Sequence, residues 1–482
     1  MSDVLYQDPL QGEPFAQLPT PKSLDPIPKS ISLTDPIMLR YTLCLSIVIR
    51  NCFHVYLCWR QFRLCKRSQE PPPQMLGIMS QATFDSSKDR EMRTVELQLI
   101  RYIFDAILSC LELHCGVFPY LWKLTMLWYR RIGDDVWQNL VFMVIFSTYM
   151  VMRTIPSVLY DKLVLEPYYG ADPEKVRTLV GLLCASAFLI VLVQVALIPI
   201  TVIFLFIEGN GGWYFVLWIW GFLFVLSIVC LLFFSLFGAP CLGKSTKLPE
   251  GNLRKELTKV FSDFKFPSNR VYVVQTFHIS NATAYVWGCC CCKRLIILDN
   301  LIYNRGKPIE ELHEDEVGLG LKDEQLAAFL AHLLSHWRRY HLFKSFTMVH
   351  ISLLIYLLLF GTCYRQQTLY EAAGFSYEFY PRIVGYWLVY KYVMPPYLTI
   401  TNWIIFYFIR HFEYSADKYA WKLGYSQDLK SALLKLFADN RLFPMVDHWY
   451  LMWHRVRPSI LQRLSNLHRL EVGSRATRLE LI

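Results

Sequence analysis

Residues 326–341 read LAAFLAHLLSHWRRYH, and within them His332-Leu333-Leu334-Ser335-His336 sets two histidines four residues apart. On an α-helix, residues i and i+4 share a face, so both imidazoles can address one ion. Zinc hydrolases hold their metal with this spacing and follow the first histidine with a glutamate that acts as general base. Here that position is Leu333. The stretch is either a zinc site without its base or a pair of interfacial histidines. What lies around it, and whether a third ligand can reach it, decides between them.

The surroundings are membrane. The chain has 482 residues, of which 54% are hydrophobic and 16% aromatic, with a mean hydropathy of +0.28. That is too apolar for an ordinary soluble protein, and the excess is gathered in long runs. Crossing the hydrocarbon core takes about 20 mostly apolar residues. Seven runs qualify as spans, near 38–58, 101–122, 140–160, 179–207, 213–238, 346–364 and 384–409. The fourth and fifth are the clearest. The first carries Arg40 and Arg50, and the second Asp105, Glu112 and His114. The seventh contains Lys391 and Pro395-Pro396, which predicts a kink.

The net charge of +10 is not a nucleic-acid signal in such a chain. Lysine and arginine mark cytosolic loops of membrane proteins. Arg60, Arg63, Lys66 and Arg67 follow the first span, Arg338, Arg339 and Lys344 precede the sixth, and Arg463, Arg469, Arg475 and Arg478 lie in the tail. Seven spans put all three groups on one side, with the N-terminus in the lumen or outside. Residues 1–36 are polar and proline-rich without a basic n-region, so the first span is expected to act as the insertion signal. The 14 cysteines show no paired CxxC pattern. Cys289–Cys292 form a run that reads as a hairpin tip, a palmitoylation site or a soft-metal site. Cys58 and Cys65 are juxtamembrane palmitoylation candidates.

Along the chain this gives a polar tail (1–36), five spans (37–243), a cytosolic domain (244–344) carrying the histidine helix, two more spans (345–411), and C-terminal helices with a frayed end (412–482). Inside the cytosolic domain LRKELTKVFSDFKF reads as a helix, and VYVVQTF (271–277) and KRLIILD (293–299) as strands of a hairpin. Residues 303–322 read as a loop, and Asp323-Glu324 as an acidic start to the histidine helix.

Catalytic zinc usually takes three protein ligands and a water. Glu413, in IRHFEYSADKYAWKLG (409–424), is the candidate third ligand. It starts a helix where the last span ends, at the membrane level where the histidine helix meets the sixth span. Asp417, four residues on, can hydrogen-bond the free ring nitrogen of a ligand histidine.

At this point the sequence resembles a family, the membrane-embedded zinc endoproteases called CAAX prenyl protease 1. The resemblance covers most of residues 37–470. It rests on PPQMLGIMSQATFDSS (72–87), VFPYLWKL (117–124), KLPEGNLRKEL (247–257), VYVV…SNATAYVWG…KRLIILD, EQLAAFLAHLLSHW, RHFEYSADKYAWKLG (410–424) and MWHRVRPSILQRL (452–464), in order. It implies an all-α polytopic membrane protein whose seven transmembrane helices enclose a water-filled chamber. A small gluzincin-like zinc metallopeptidase domain with a β-hairpin would sit at the cytosolic roof. By the same resemblance His332, His336 and Glu413 match the ligands of one zinc ion, and Asp417 the acid behind them. Asn281 matches an edge-strand asparagine beside the substrate, and Arg463 the arginine after the C-terminal proline motif. The implied partners are prenylated CAAX-type or membrane-inserted peptides and the lipid bilayer, with no nucleic acid. The implied location is the endoplasmic reticulum membrane or the inner nuclear membrane.

Two positions depart from the family. Leu333 stands at the catalytic glutamate. Arg457 stands where the family has a histidine before Pro-Pro that serves the transition state, and only Pro458 of that pair remains. Ser335 replaces a glycine. Leucine cannot take a proton from water or return it to the leaving amine, and residues 325–341 hold no aspartate or glutamate. The first expectation is therefore a pseudoprotease that keeps the fold and binds peptides without cutting them. The alternatives are an active CAAX endoprotease with an unusual base, and a seven-span receptor or transporter. Asp105, Glu112, Arg153 and Lys391 are expected either to face a chamber or to pair between helices.

Overall fold

The computed structural model describes residues 35–479 apart from 133–134, 162–164, 166–178, 243–244, 249–250, 276–282, 288–292, 313–315 and 377–379. Asn281 and Cys289–Cys292 lie outside the described residues.

The apolar runs become long helices: α1 (Pro36–Arg67), α2 (Gln81–His114), α3 (Val117–Ile132), α4 (Asp135–Tyr160), α5 (Leu179–Asn210) and α6 (Phe215–Leu242). Asp35 caps α1 by accepting from the Ile37 amide, and Pro36 sits at the first helical position, where no amide is needed. Among the described residues five helical segments are long and apolar enough to cross a membrane: Pro36–Arg67, Val136–Tyr160, Ile190–Asn210, Gly212–Phe233 and His341–Cys363. The second expected span is a bent pair, α2 with Val117–Met126, turning by 60° at a short break. Counting that pair as one span gives six.

The expected seventh span is not one apolar helix. After α9 (His341–Cys363) and the short α10 (Gln367–Ala372), the chain enters α11 (Arg382–Leu388), a π-helical turn (Val389–Val393) and then α12 (Pro395–Lys422). Pro395 and Pro396 cannot donate to the preceding turn. The ladder widens instead, with the Met394 amide reaching the Val389 carbonyl at 2.9 Å. The predicted kink is thus a π-turn ending at the proline pair. α12 then runs unbroken through the boundary expected at residue 411, carrying Glu413 on the same rod as residues 395–410.

The polar groups of the spans pair with one another. Arg153 on α4 binds Asp105 and Glu112 on α2, the latter at 3.1 Å. Lys391 in the π-turn and Tyr149 on α4 both bond Glu112. Asp105, Arg153 and Lys391 also line a cavity of about 580 Å³ between the helices. Interhelical pairing therefore holds for all four residues, and a cavity wall for three of them, since Glu112 is buried behind it.

The polar insertion folds as a small α/β unit. It contains β1 (Ser245–Lys247), α7 (Asn252–Phe264), β2 (Val271–Val274), β3 (Ala284–Trp287), β4 (Arg294–Leu298) and α8 (Asp323–Arg338). Strand order is β1-β2-β4-β3. β2 and β4 do pair, but in parallel, with Val271 opposite Leu295. The expected hairpin is instead β3 with β4, antiparallel, with Trp287 opposite Arg294. β4 is inserted between the strands that precede it. Its run Leu295–Leu298 is buried throughout, as a central strand requires. Among the described residues β3 is an edge strand, as is β1, and it packs against α8.

α8 carries its apolar face (Leu326, Ala327, Leu330, Ala331, Leu334) into a core shared with β2, β4 and α7. It does not continue into α9. Tyr340 adopts a left-handed backbone (φ 56°), which turns the chain between the two helices. α13 (Ser426–Asp439), α14 (His448–His454) and α15 (Ile460–Leu479) close the unit. The tail expected to fray from about residue 470 is helical to Leu479.

Candidate metal centre

α8 and α12 cross so that His332, His336 and Glu413 meet. Their ligating atoms all lie within 4.8 Å of one another. His332 Nε2 and His336 Nε2 are 3.3 Å apart. Glu413 offers one carboxylate oxygen to each ring: Oε2 lies 3.4 Å from His332 Nε2, and Oε1 3.8 Å from His336 Nε2. Two nitrogens bound tetrahedrally to one zinc at about 2.0–2.1 Å lie about 3.3 Å from each other. The nitrogen pair matches that spacing, and the donor set of two imidazoles and a carboxylate is one that zinc accepts.

The rings are fixed from behind. Asp417 Oδ1 lies 2.8 Å from His332 Nδ1 and accepts its N–H, which leaves Nε2 for the cluster. Asp417 is fully buried and in turn accepts two bonds from Arg463, at 3.0 Å from Nε and 2.6 Å from Nη2. The bidentate fork holds the carboxylate in plane. His336 has a different support, His341, whose Nδ1 lies 3.1 Å from His336 Nδ1. The buried His341 ring stacks on Phe412, with centroids 4.6 Å apart and planes 12° from parallel. When His336 donates from Nδ1 across this contact, its Nε2 is bare toward Glu413.

The electrostatics follow from burial and these partners. Burial alone would raise the Glu413 carboxyl, but His332 and Arg463 outweigh it and hold Glu413 far below the carboxylate range. Asp417 is held at about 2 against its own burial by Arg463 and His332. Burial, then the neighbouring His332, push His336 down to about 3. Burial and Arg463 oppose a charged His332, yet Asp417 and Glu413 prevail and raise it above 6.5.

Two further arginines frame the site. Arg457 reaches in from solvent, its side chain 78% exposed and its Nε 3.6 Å from Glu413 Oε1. Buried Arg410, one turn before Glu413, donates to the carbonyls of Leu451, Met452 and Arg455, the last at 2.8 Å. It anchors the end of α14 and so places the segment carrying Arg457. Ser335 is buried and returns its hydroxyl to the Ala331 carbonyl at 2.7 Å, so it serves the helix rather than the cluster. Leu333 is half-buried and packs on the core under α8. Among the described residues, the cluster gathers no carboxylate beyond Glu413 and Asp417.

Sequence reasoning brought forward His332, His336, Glu413, Asp417, Arg457, Arg463 and Asn281; the structure gathers the first six, and Asn281 lies outside the described residues. It missed His341 and Arg410. His341 closes the very stretch LAAFLAHLLSHWRRYH, but its role depends on the turn at Tyr340, which the sequence does not announce.

Comparison with known proteins places this arrangement. A model described as CAAX prenyl protease N-terminal, five membrane helices, matches residues 61–244, and the Peptidase family M48 model matches residues 247–471. The chain belongs to the CAAX prenyl protease 1 family. The human CAAX prenyl protease 1 homolog is 29% identical over 441 residues, covering 86% of this chain and 92% of its own. CAAX prenyl protease 1 of Saccharomyces cerevisiae is 24% identical over 437 residues. The crystal structure of S. mikatae Ste24p shares the fold, with a TM-score of 0.76 over 90% of this chain and 100% of that one. This family member is therefore a multi-pass membrane protein of the zinc metalloprotease type, which removes the receptor or transporter reading.

Proposed function

We propose that this CAAX prenyl protease 1 family member is a pseudoprotease, one that holds zinc and binds prenylated or membrane-inserted peptides at the endoplasmic reticulum membrane without cutting them. The observation that carries the reading is Leu333, half-buried on the core in the place of the general base, beside a cluster otherwise complete.

His332, His336 and Glu413 would hold the ion, with Asp417 and His341 orienting the two rings. A bound zinc supplies Lewis-acid polarisation of a peptide carbonyl and of water. Peptide hydrolysis also needs a group that removes a proton from water and returns it to the leaving amine. A general base contributes about a hundredfold to ten-thousandfold. Among the described residues no carboxylate at the cluster is free to do so. Glu413 is engaged with both histidines, and Asp417 is closed off by Arg463. Arg457 and Arg463 are permanent cations that can fix a peptide carbonyl or carboxylate but cannot accept a proton. The position of β3 at an edge of the described sheet, against α8, supports peptide binding, because an extended chain can add to a sheet edge.

Metal analysis of the purified protein, with a farnesylated CAAX peptide assay on the same sample, tests the reading. Stoichiometric zinc, peptide binding, and cleavage no faster than a His332→Ala control are expected. Chelator-sensitive cleavage above that control would refute it.

A further inference from the structure

The cavity between α1, α2, α4 and α12 is unbalanced in charge. Arg50, Arg153 and Lys391 reach its wall, and Asp105 is the one carboxylate among its lining residues, with buried Glu112 behind. Arg153 uses both carboxylates and Lys391 uses Glu112. Arg50 is left over. Among the described residues no carboxylate pairs with it, and its Nε is buried without a hydrogen-bond partner. A guanidinium within a membrane span is costly unless it faces a cavity or an anion. The cavity volume of about 580 Å³ suits a ligand segment rather than a lone ion. Its walls are both polar and apolar, with His54 stacked on Tyr102 at 4.8 Å beside Phe406 and Trp453.

The cavity runs along α12 from Pro395 to Phe406, and its near end approaches the metal cluster. Phe406 lines it, and Glu413 lies seven residues further along the same unbroken helix. Seven residues rise about 10 Å. Three residues of extended chain, the number that follows the cysteine in a CAAX peptide, also span about 10 Å, which carries a chain end from the cluster to the near end of the cavity. We propose that Arg50 receives the C-terminal carboxylate of the bound peptide, so that the cavity reads a free chain end. The assignment rests on the peptide-binding reading above and names its anchoring group.

The test compares two farnesylated peptides of one sequence, ending in a carboxylate or a carboxamide, for binding to the full-length protein in detergent. A charged hydrogen bond of this kind corresponds to roughly tenfold or more in affinity. The acid should bind tighter by that factor. Arg50→Gln should bring it down to the amide's affinity while leaving the amide's unchanged, and Arg50→Lys should keep part of the preference. Equal affinities in the unmodified protein overturn the assignment, and that comparison does not depend on how any variant folds. A preference that survives Arg50→Gln overturns it too. If Arg50→Gln instead strips co-purifying phospholipid and moves neither peptide, the cavity is a lipid site. Failure of both peptides to bind removes the peptide-binding reading itself, an outcome distinct from equal affinity.

Discussion

Replacing Leu333 with glutamate isolates the missing function. The side chain is half-buried on the core beneath α8, so the substitution gives up about half of a leucine's transfer free energy, about 1 kcal/mol. That cost leaves the domain folded. The new carboxylate follows His332 directly on the helix, where a general base in this spacing stands. Arg457 and Arg463 already reach Glu413, so their field favours its ionised form. If the absent base is the main lesion, Leu333→Glu should raise cleavage of a farnesylated CAAX peptide about a hundredfold or more over the unmodified protein. The gain should vanish in the His332→Ala, Leu333→Glu double variant, which keeps the base and loses a ligand. The assay is release of the C-terminal tripeptide, with zinc content measured on each sample. If activity appears only when Arg457→His is added, Arg457 is a second lesion. The reasoning is refuted if the unmodified protein already cleaves in a chelator-sensitive way and Leu333→Glu changes nothing.

Other outcomes follow from the same geometry. Zinc uptake requires a neutral His332, whose pKa is raised in the metal-free protein, so affinity should fall as pH drops and should begin to fall above 6.5, as read by chelator competition. Loss only well below 6.5 would contradict that. Asp417→Asn removes the acceptor that fixes His332, and zinc affinity should drop about tenfold to a hundredfold with helicity unchanged by circular dichroism. Arg457→Gln removes a cation 3.6 Å from Glu413 and should tighten zinc binding, more at low than at high ionic strength. A salt-independent result would show that the contact is not felt.

Much of this was legible because it rests on periodicity. The i, i+4 spacing of His332 and His336 and of Glu413 and Asp417 is a property of one helix each, and the apolar runs announce their own spans. The errors lie where one element's state depends on another. VYVV and RLIIL are both readable as strands, but whether they pair in parallel depends on where AYVW docks. Four residues carry too weak a pattern to show that. The run at 384–409 reads as one span in sequence, yet its shape is decided by two prolines and by Lys391 reaching Glu112 on another helix. His341 and Arg410 act through contacts across a turn or a helix crossing, which no local pattern encodes.

The charge around the cluster bears on what the chain keeps. Glu413 and Asp417 carry two negative charges, and Arg463 and Arg457 two positive ones, so the four balance without a metal. A dication adds to a site already neutral, which argues at first against zinc. The two arginines are not equivalent, however. Arg463 is buried, is locked by both ends of its fork on Asp417 and also lies 3.7 Å from Glu413, so it is fixed in place. Arg457 is mostly in water and touches Glu413 through one nitrogen. It can swing outward at the cost of a weak, screened contact. Glu413 cannot move likewise, because it is buried on the same unbroken helix as Asp417. Metal and Arg457 therefore compete for one carboxylate oxygen, and the competitor with the accessible retreat yields. On this reasoning the substitution at 457 tunes zinc affinity and contact with a bound peptide, whereas Leu333 alone removes the proton transfer.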